Sequence, residues 1–266
     1  MGRLIRFELI KMFRQVSFYV CGGCIIAFSI LSVSFEIWSQ NVLGVLMDAI
    51  GQKPTALRFA LSAVESSKFT IIIAIVVCIG ICVDYSRKTF KNVWARGFTR
   101  SQVFVAKMIS AISASVVYTL VAIISSVLSA GIAFGMGKDW DGQVVLALLL
   151  QIYICIAYTL VFVSVAFFVK NLAGALVICI VGDGLVSLGA TLAQLIIDIK
   201  NFANHPLSYD GASFNIKRFI LSENLSNMSA ISTISTENFC TAFLVSTVYI
   251  VTFVFLAWLK LRKDEL

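Results

Sequence analysis

Two carboxylates lie inside long apolar stretches of the chain, where a charged side chain is costly. Glu36 falls toward the end of the first stretch, and Asp183 falls near the middle of the fifth, in Gly182-Asp-Gly184. A central Asp costs about 2.5–3.5 kcal/mol on insertion scales, so it is expected to face protein or water. Asp183 is predicted either to contact cationic cargo or assist helix rearrangement, or to make an interhelical hydrogen bond. These alternatives stay open, and the two carboxylates form a candidate substrate pathway.

The cysteines are predicted to be packing residues. All seven lie in or at the ends of apolar stretches, including the closely spaced pairs Cys21/Cys24 and Cys78/Cys82. Such pairs also suit a metal or redox centre, but no second cluster of that kind accompanies them. Small, lipid-compatible packing is therefore the favoured interpretation.

The residues that enzymes of membranes generally need are not found in the expected places in this sequence. The one histidine, His205, lies in a polar segment rather than at membrane depth, where a membrane hydrolase needs it. Gly137-Lys138 lacks both the upstream glycine and the following Ser or Thr of a nucleotide-binding loop. The chain is predicted to bind no metal or cofactor and not to hydrolyse ATP by itself.

Composition identifies the class of chain. Hydrophobic residues make up 59% and charged residues 13% of it, and mean hydropathy is +0.95, far from soluble usage. Six stretches are long enough to cross a hydrocarbon core, which takes about 20 helical residues each. The prediction is a single all-α transmembrane domain over 1–266. The spans cover about 17–38, 61–83, 108–134, 143–169, 172–197 and 239–261.

The basic residues orient these spans. The ends and loops on the side of both termini hold 14 Lys and Arg, and the other side holds seven. The positive-inside rule therefore predicts cytoplasmic termini and an extracellular segment 198–238. From the residues alone, that segment is predicted to be a surface loop with one interfacial helix. The residues before the first span have an apolar face and an arginine-rich face, which predicts an interfacial elbow helix.

One loop is unusually basic. Residues 84–107, DYSRKTFKNVWARGFTRSQVFVAK, hold six of the 21 Lys and Arg. Residues 89–95 are predicted to form a short cytoplasmic helix that stops at Gly97, and Thr99 or Ser101 is predicted to cap the next helix. Aromatic side chains among arginines suit docking into a partner's groove. The alternative is that these charges anchor the loop at anionic headgroups.

The same loop carries a resemblance. Its pattern, after a basic elbow and a first span, is an acidic residue, a Thr, a short helix, Gly-x-x-Arg and a later Lys. This order is similar to that of type-2 permeases of ATP-binding-cassette exporters. The matching residues are Asp84, Thr89, Gly97, Arg100 and Lys107, and the likeness covers nearly the whole chain. Lys88 stands where those permeases usually have a glycine, so the start of the coupling helix is left open.

The resemblance implies a non-catalytic permease in a bacterial cytoplasmic membrane. It also implies a second copy or a sister permease, and a separate ATPase subunit that binds ATP and Mg. For the segment before the last span it implies re-entrant or extracellular helices that cap the exit. Compact permeases of this length resemble exporters of small amphipathic or antimicrobial peptides, and nucleic acid is not an expected partner. The predicted ATPase-coupling residues are Asp84, Arg87, Thr89, Phe90, Lys91, Val93, Trp94, Arg96, Gly97 and Arg100.

Two rival interpretations follow from the residues alone. A stand-alone secondary transporter or channel would use Asp183 and Glu36 as ion-coupling groups. That class generally shows internal repeats or more intramembrane charges, and neither is evident in this sequence. A membrane adaptor without transport activity would use the basic loop to recruit a partner.

Overall fold

A computed structural model gives the architecture. It describes residues 1–50, 55–65, 67–87, 97–137, 142–204, 215–229 and 236–263, together with Thr89, Val93 and Ala95. For residues 41–50, 67–68, 201–204 and 263 it describes the backbone alone. Every regular element in this described part is helical, as the sequence predicts.

Six long helices form the bundle. Each contains a segment long and apolar enough to cross a membrane, so the prediction of six spans is confirmed. The long helices are α2 (Val16–Ile50), α4 (Ser67–Ser86), α5 (Arg100–Phe134), α6 (Gly142–Val169), α7 (Leu172–Asn204) and α9 (Thr236–Lys263). The shorter elements are α1 (Gly2–Phe13), α3 (Ala56–Ser62), a 3₁₀ helix (Ile216–Phe219) and α8 (Leu221–Asn227).

Two spans begin elsewhere than the sequence predicts. Leu61, the predicted start of the second span, belongs to the short helix α3, and a turn at 63–65 separates it from α4. The third helix begins at Arg100 rather than near Met108. Lys107 does not end the apolar segment because its charge is buried against carboxylates. A hydropathy scale treats every lysine as exposed, so the predicted third span starts after Lys107, eight residues later than the helix does.

The bundle has an inner pair of spans and an outer set. In α4 and α6, 61% of the apolar window is buried, compared with 17% in α2 and α9 and 11% in α7. The helix α6 packs against α9, α4, α5 and α7, while α2 packs mainly on α5. Large apolar side chains therefore cover the outward faces of α2, α7 and α9, where lipid or another protein surface must meet them.

Charge and connectivity distinguish the two ends of the bundle. One, called here the basic end, carries α1, the end of α4, the beginning of α5, the turn at 170–171 and the last turn of α9. The opposite end carries α3, the 3₁₀ helix and α8. At the basic end, Lys170 has φ 58 and closes α6, and Asn171 Oδ1 accepts a hydrogen bond from Ala173 N at the start of α7. The side chain of Asn171 thus begins α7 immediately after α6 ends.

A capping box begins α5 at the basic end. Thr99 Oγ1 accepts a hydrogen bond from Gln102 N, and Gln102 Oε1 accepts one from Thr99 N, so two otherwise unpaired amides are satisfied. This confirms Thr99 rather than Ser101 as the cap. Two residues before it, Gly97 has φ 84, a left-handed conformation that favours glycine.

Replacing Thr99 by Ala is expected to lower the free energy of unfolding by about 1 kcal/mol, because the amide of Gln102 loses its side-chain acceptor. Hydrogen exchange of the amides at 100–103 should become faster in the same variant. Ser101→Ala serves as the matched control, since Ser101 is exposed and is not the cap. Equal exchange in the two variants would contradict the assignment of the cap.

Candidate functional site

A buried ion cluster joins three helices at the basic end. Lys107 of α5 contacts Glu8 of α1 and Asp84 of α4, and Lys11 of α1 also pairs with Asp84. Glu8, Asp84 and Lys107 are only 4–5% exposed, whereas the Lys11 side chain is 37% exposed. We call these four residues the ion cluster.

The hydrogen bonds of Lys107 are fully used. An ammonium has three N–H donors, and Lys107 directs them to Glu8, to Asp84 and to the backbone oxygen of Gly80 at 3.2 Å. Two lysines balance two carboxylates, so the cluster as a whole is neutral. Such balance matters because Glu8, Asp84 and Lys107 are buried, and a buried charge without a partner is strongly destabilising.

Asp84 in particular needs cations. It lies in the last turn of α4, where the helix dipole is negative and disfavours a carboxylate. Lys107 and Lys11 supply the opposing charge from α5 and α1. The cluster therefore fixes the amphipathic helix α1 to the end of α4 and the beginning of α5, the two helices that flank residues 87–99.

A cavity of about 480 Å³ lies beside the ion cluster, between α1, α4 and α5. Its wall includes the four residues of the cluster, together with the exposed Arg87, and otherwise mostly apolar side chains such as Val76 and Val77. The site therefore combines fixed ion pairs with free volume at the base of the basic loop.

The structure places the predicted coupling residues at different depths. Asp84 is buried in the ion cluster, so it supports the loop from within. Arg87 and Gly97 are exposed, Arg100 and Thr89 are half-buried, and Val93 packs partly on the core. The backbone at Thr89, Val93 and Ala95 is helical. Phe90, Lys91, Trp94 and Arg96 lie outside the described residues, as does His205.

Glu8 and Lys11 are functional candidates that the sequence analysis did not select. Glu8 is the one acidic residue before Glu36, and it stands four positions after the buried Leu4. Residues four apart share a helix face, so the acid lies on the inward face of α1. A lone carboxylate on the apolar face of a basic helix was the available signal.

The second polar site lies near the middle of the bundle. Tyr158 of α6 donates a hydrogen bond from its hydroxyl to Asp183 Oδ1 of α7 at 3.2 Å. Each residue lies 11 positions from the basic end of its helix, or roughly 17 Å along the axis. The interhelical hydrogen bond, one of the two predictions for Asp183, is therefore present.

Asp183 also borders a cavity of about 260 Å³. We call it the aromatic cavity, because its walls include Tyr158 and Phe162 of α6 and Tyr249 and Phe253 of α9. The start of α8, at Ile220 and Leu221, closes it on one side. Glu36 lies apart, half-exposed on α2, and does not line this cavity. The structure thus does not bring the two candidate pathway carboxylates together in one site.

A buried glutamine holds two short helices at the opposite end. The Gln151 amide nitrogen, on α6, donates to the backbone oxygens of Leu61 at 2.7 Å and Met228 at 3.0 Å. These carbonyls lie at the ends of α3 and α8, where a helix leaves its last carbonyls unpaired. Ser226 donates to Glu65 Oε1 at 3.0 Å and adds a direct link. Both short helices pack into the end of the bundle, so the part of segment 198–238 that the structure describes at 215–229 is packed against α6 and is not a free surface loop.

Five of the seven thiols are buried in the packed core, whereas Cys24 and Cys240 are exposed. The sulfurs of Cys78 on α4 and Cys179 on α7 lie 3.9 Å apart, and the seven cysteines are unbridged. Among the described residues, no group of three or more His, Cys, Asp and Glu is arranged to hold a metal ion.

Six apolar helices around buried polar sites define a multi-pass membrane protein. A family model described as "ABC-2 family transporter protein" matches residues 4–183, which is more than half of the chain. The chain belongs to the ABC-2 transporter family. It is accordingly a membrane subunit of an ABC transporter, a type that is generally non-catalytic and works with a separate ATPase. No curated protein and no solved structure matches the chain.

Proposed function

We propose that this chain is the permease of an ATP-driven exporter and that its ATPase subunit docks on the basic loop around residues 87–100. In this proposal the basic end is cytoplasmic, in a bacterial plasma membrane. ATP and Mg bind to the partner, and the loop transmits the movement produced by ATP binding. The observation that carries the proposal is the ion cluster at the base of this loop.

The ion cluster suits transmission of movement. A loop that only rests on headgroups needs no buried charges beneath it, because its own lysines and arginines suffice. Here the two helices that continue from the loop are joined to each other and to α1 by ion pairs of low exposure. A push on the loop therefore displaces α1, α4 and α5 together, rather than bending a single helix end.

The exposed apolar faces of the outer spans support a second permease copy. α2, α7 and α9 bury little of their apolar windows within one chain. We propose that two copies pair through part of this surface and that the remainder contacts lipid. The proposed cargo is a small amphipathic or antimicrobial peptide, a choice that rests on the resemblance to compact peptide exporters.

Replacing Phe90 and Trp94 together by Ala is expected to release the ATPase subunit. A single hot-spot aromatic contributes roughly 2 kcal/mol, so the loss in affinity should be at least about 30-fold. The measurement is co-purification with the ATPase encoded by a neighbouring reading frame, followed by the turnover of ATP and transport by the reconstituted complex.

The matched control is Phe35→Ala with Trp38→Ala. These two rings are more than half exposed on α2, away from the basic loop, and their centroids lie 5.8 Å apart. The control should keep the ATPase bound. Its transport is not compared, because this face of α2 belongs to the surface proposed for pairing of the two copies. If the Phe90/Trp94 variant keeps normal co-purification and transport, the docking site is wrong. Ion flux by the permease alone would instead support the rival secondary transporter.

A further inference from the structure

We infer that the aromatic cavity between α6, α7 and α9 binds an organic ammonium group, with Asp183 as its counter-ion. This inference deepens the proposed function, on which it rests, by naming the chemistry of the cargo group that the permease holds. The occupant is a monovalent cationic head group attached to an apolar body. A whole peptide does not fit, because a cavity of about 260 Å³ lies below the usual size of sites for drug-like ligands.

The charge of the cavity favours a cation. Asp183 is its acidic lining residue, and among the described residues that line it there is no Lys, Arg or His. Tyr158 donates one hydrogen bond to Asp183 Oδ1, and this donor is a neutral hydroxyl. A carboxylate at membrane depth generally pairs with an opposite charge. Within the described part of the cavity wall, Asp183 meets a neutral donor and no positive charge, so a cationic ligand would supply the opposite charge.

The walls of the cavity favour an organic rather than an inorganic cation. Tyr158 and Phe162 lie one turn apart on α6, with ring centroids 5.9 Å apart, and Tyr249 and Phe253 form a similar pair on α9 at 6.0 Å. Aromatic faces attract alkylammonium groups through their quadrupole and at the same time contact the apolar carbons. A metal ion would find one carboxylate and few further oxygen ligands here.

The position of the cavity admits an amphiphile from the side. Ile178 and Val186, which line it, are also 49% and 52% exposed on the outer surface of α7. An ammonium group can therefore occupy the cavity while its apolar body stays at the surface of the bundle. Ile220 and Leu221 close the cavity beside α8, so binding also contacts the cap at the opposite end.

The test is equilibrium binding of radiolabelled benzyltrimethylammonium to the purified full-length permease in nanodiscs, without ATPase or nucleotide. Neopentylbenzene, the neutral carbon isostere, is the matched ligand. Asp183→Asn should weaken binding of the cation by at least about tenfold and leave the isostere unaffected. Phe253→Leu should weaken cation binding by roughly 5- to 30-fold, because it keeps an apolar wall but removes a π face.

Glu36→Gln is the control variant, since Glu36 is a second carboxylate within a span but outside the cavity. It should leave binding of the cation unchanged. The inference is overturned if the isostere binds as tightly as the cation, or if Asp183→Asn binds the cation as the unaltered permease does. If Asp183→Asn elutes as an aggregate, the Phe253→Leu variant replaces it in the test, and cation affinity equal to that of the unaltered permease overturns the inference. Because no ATPase is present in this assay, a negative result overturns the cavity inference without bearing on the proposed ATPase docking site.

Discussion

Replacing Lys107 by Met is expected to lower the free energy of unfolding by about 3–5 kcal/mol. The substitution leaves Glu8 and Asp84, each about 5% exposed or less, without the cation that they share. Methionine keeps much of the length and apolar volume of lysine, so the loss reports charge rather than packing. The measurement is unfolding of the permease in mixed micelles during titration with sodium dodecyl sulfate.

Two controls separate charge imbalance from a general sensitivity of the helix. Lys200→Met, at an exposed position on α7, should change stability by no more than about 0.5 kcal/mol. The triple variant Lys107→Met, Glu8→Gln, Asp84→Asn should recover most of the lost stability, because it removes both carboxylates that Lys107→Met leaves without that cation. The charge of Lys11 remains, but its side chain is 37% exposed and can be hydrated. If the triple variant is as unstable as the single one, the ion pairs are not what holds α1 in place.

The same variants connect stability to the proposed transmission. Residues 87–99 join α4 to α5, and the ion cluster joins those helices to α1. The triple variant keeps Lys11 as the remaining charge of the cluster and is expected to fold, but it replaces strong ion pairs by weaker contacts. In it, docking of the ATPase is expected to persist, since residues 87–100 are unchanged, while coupling between ATP turnover and transport weakens.

The spans were predictable from the sequence because their cause is local. A stretch such as 143–169 must bury its backbone polar groups in its own hydrogen bonds, whatever its neighbours do. The helix α6, at Gly142–Val169, differs from that prediction by one residue at its start. Thr99 as a cap was predictable for a similar reason, since capping depends on residues within one turn.

The short helices were not predictable in this way. α3 and α8 have seven residues each, too few to show a helical period. They are helical because they pack on the bundle. Ala56, Leu57, Ala60 and Leu61 are buried in α3, and Gln151 binds the carbonyls at the ends of both helices. Their existence depends on side chains about 80 to 90 positions away.

The ion cluster was predictable only in part. Asp84 and Lys107 belong to the pattern that carries the family resemblance, but their spacing does not show that they form a pair. The other partners, Glu8 and Lys11, lie 76 and 73 positions before Asp84, and no periodic pattern links positions that far apart. For Asp183 the cost of a charge in lipid predicted that a partner exists, but only the structure identifies Tyr158.

Replacing Gln151 by Leu is expected to lower the free energy of unfolding by about 2 kcal/mol and to loosen both α3 and α8. Two buried backbone oxygens, those of Leu61 and Met228, lose their donor, and each costs about 1–3 kcal/mol when left unpaired. The loss is partly offset, because Gln151 Oε1 is itself buried without a hydrogen-bond partner among the described residues. The net effect is therefore smaller than the sum of two lost hydrogen bonds.

Hydrogen exchange locates this effect. Amides at 56–62 and 221–229 should exchange faster in Gln151→Leu, because the substitution removes the hydrogen bonds that connect α3 and α8 to α6. The amides of α6 itself should stay protected, because the span remains apolar. Gln143→Leu is the matched control, since Gln143 lies exposed on the same helix, and it should leave both short helices unchanged. Faster exchange in only one of the two would show that Gln151 supports that helix alone. Unchanged exchange in both short helices would show that apolar packing, rather than the Gln151 side chain, holds α3 and α8 in the bundle.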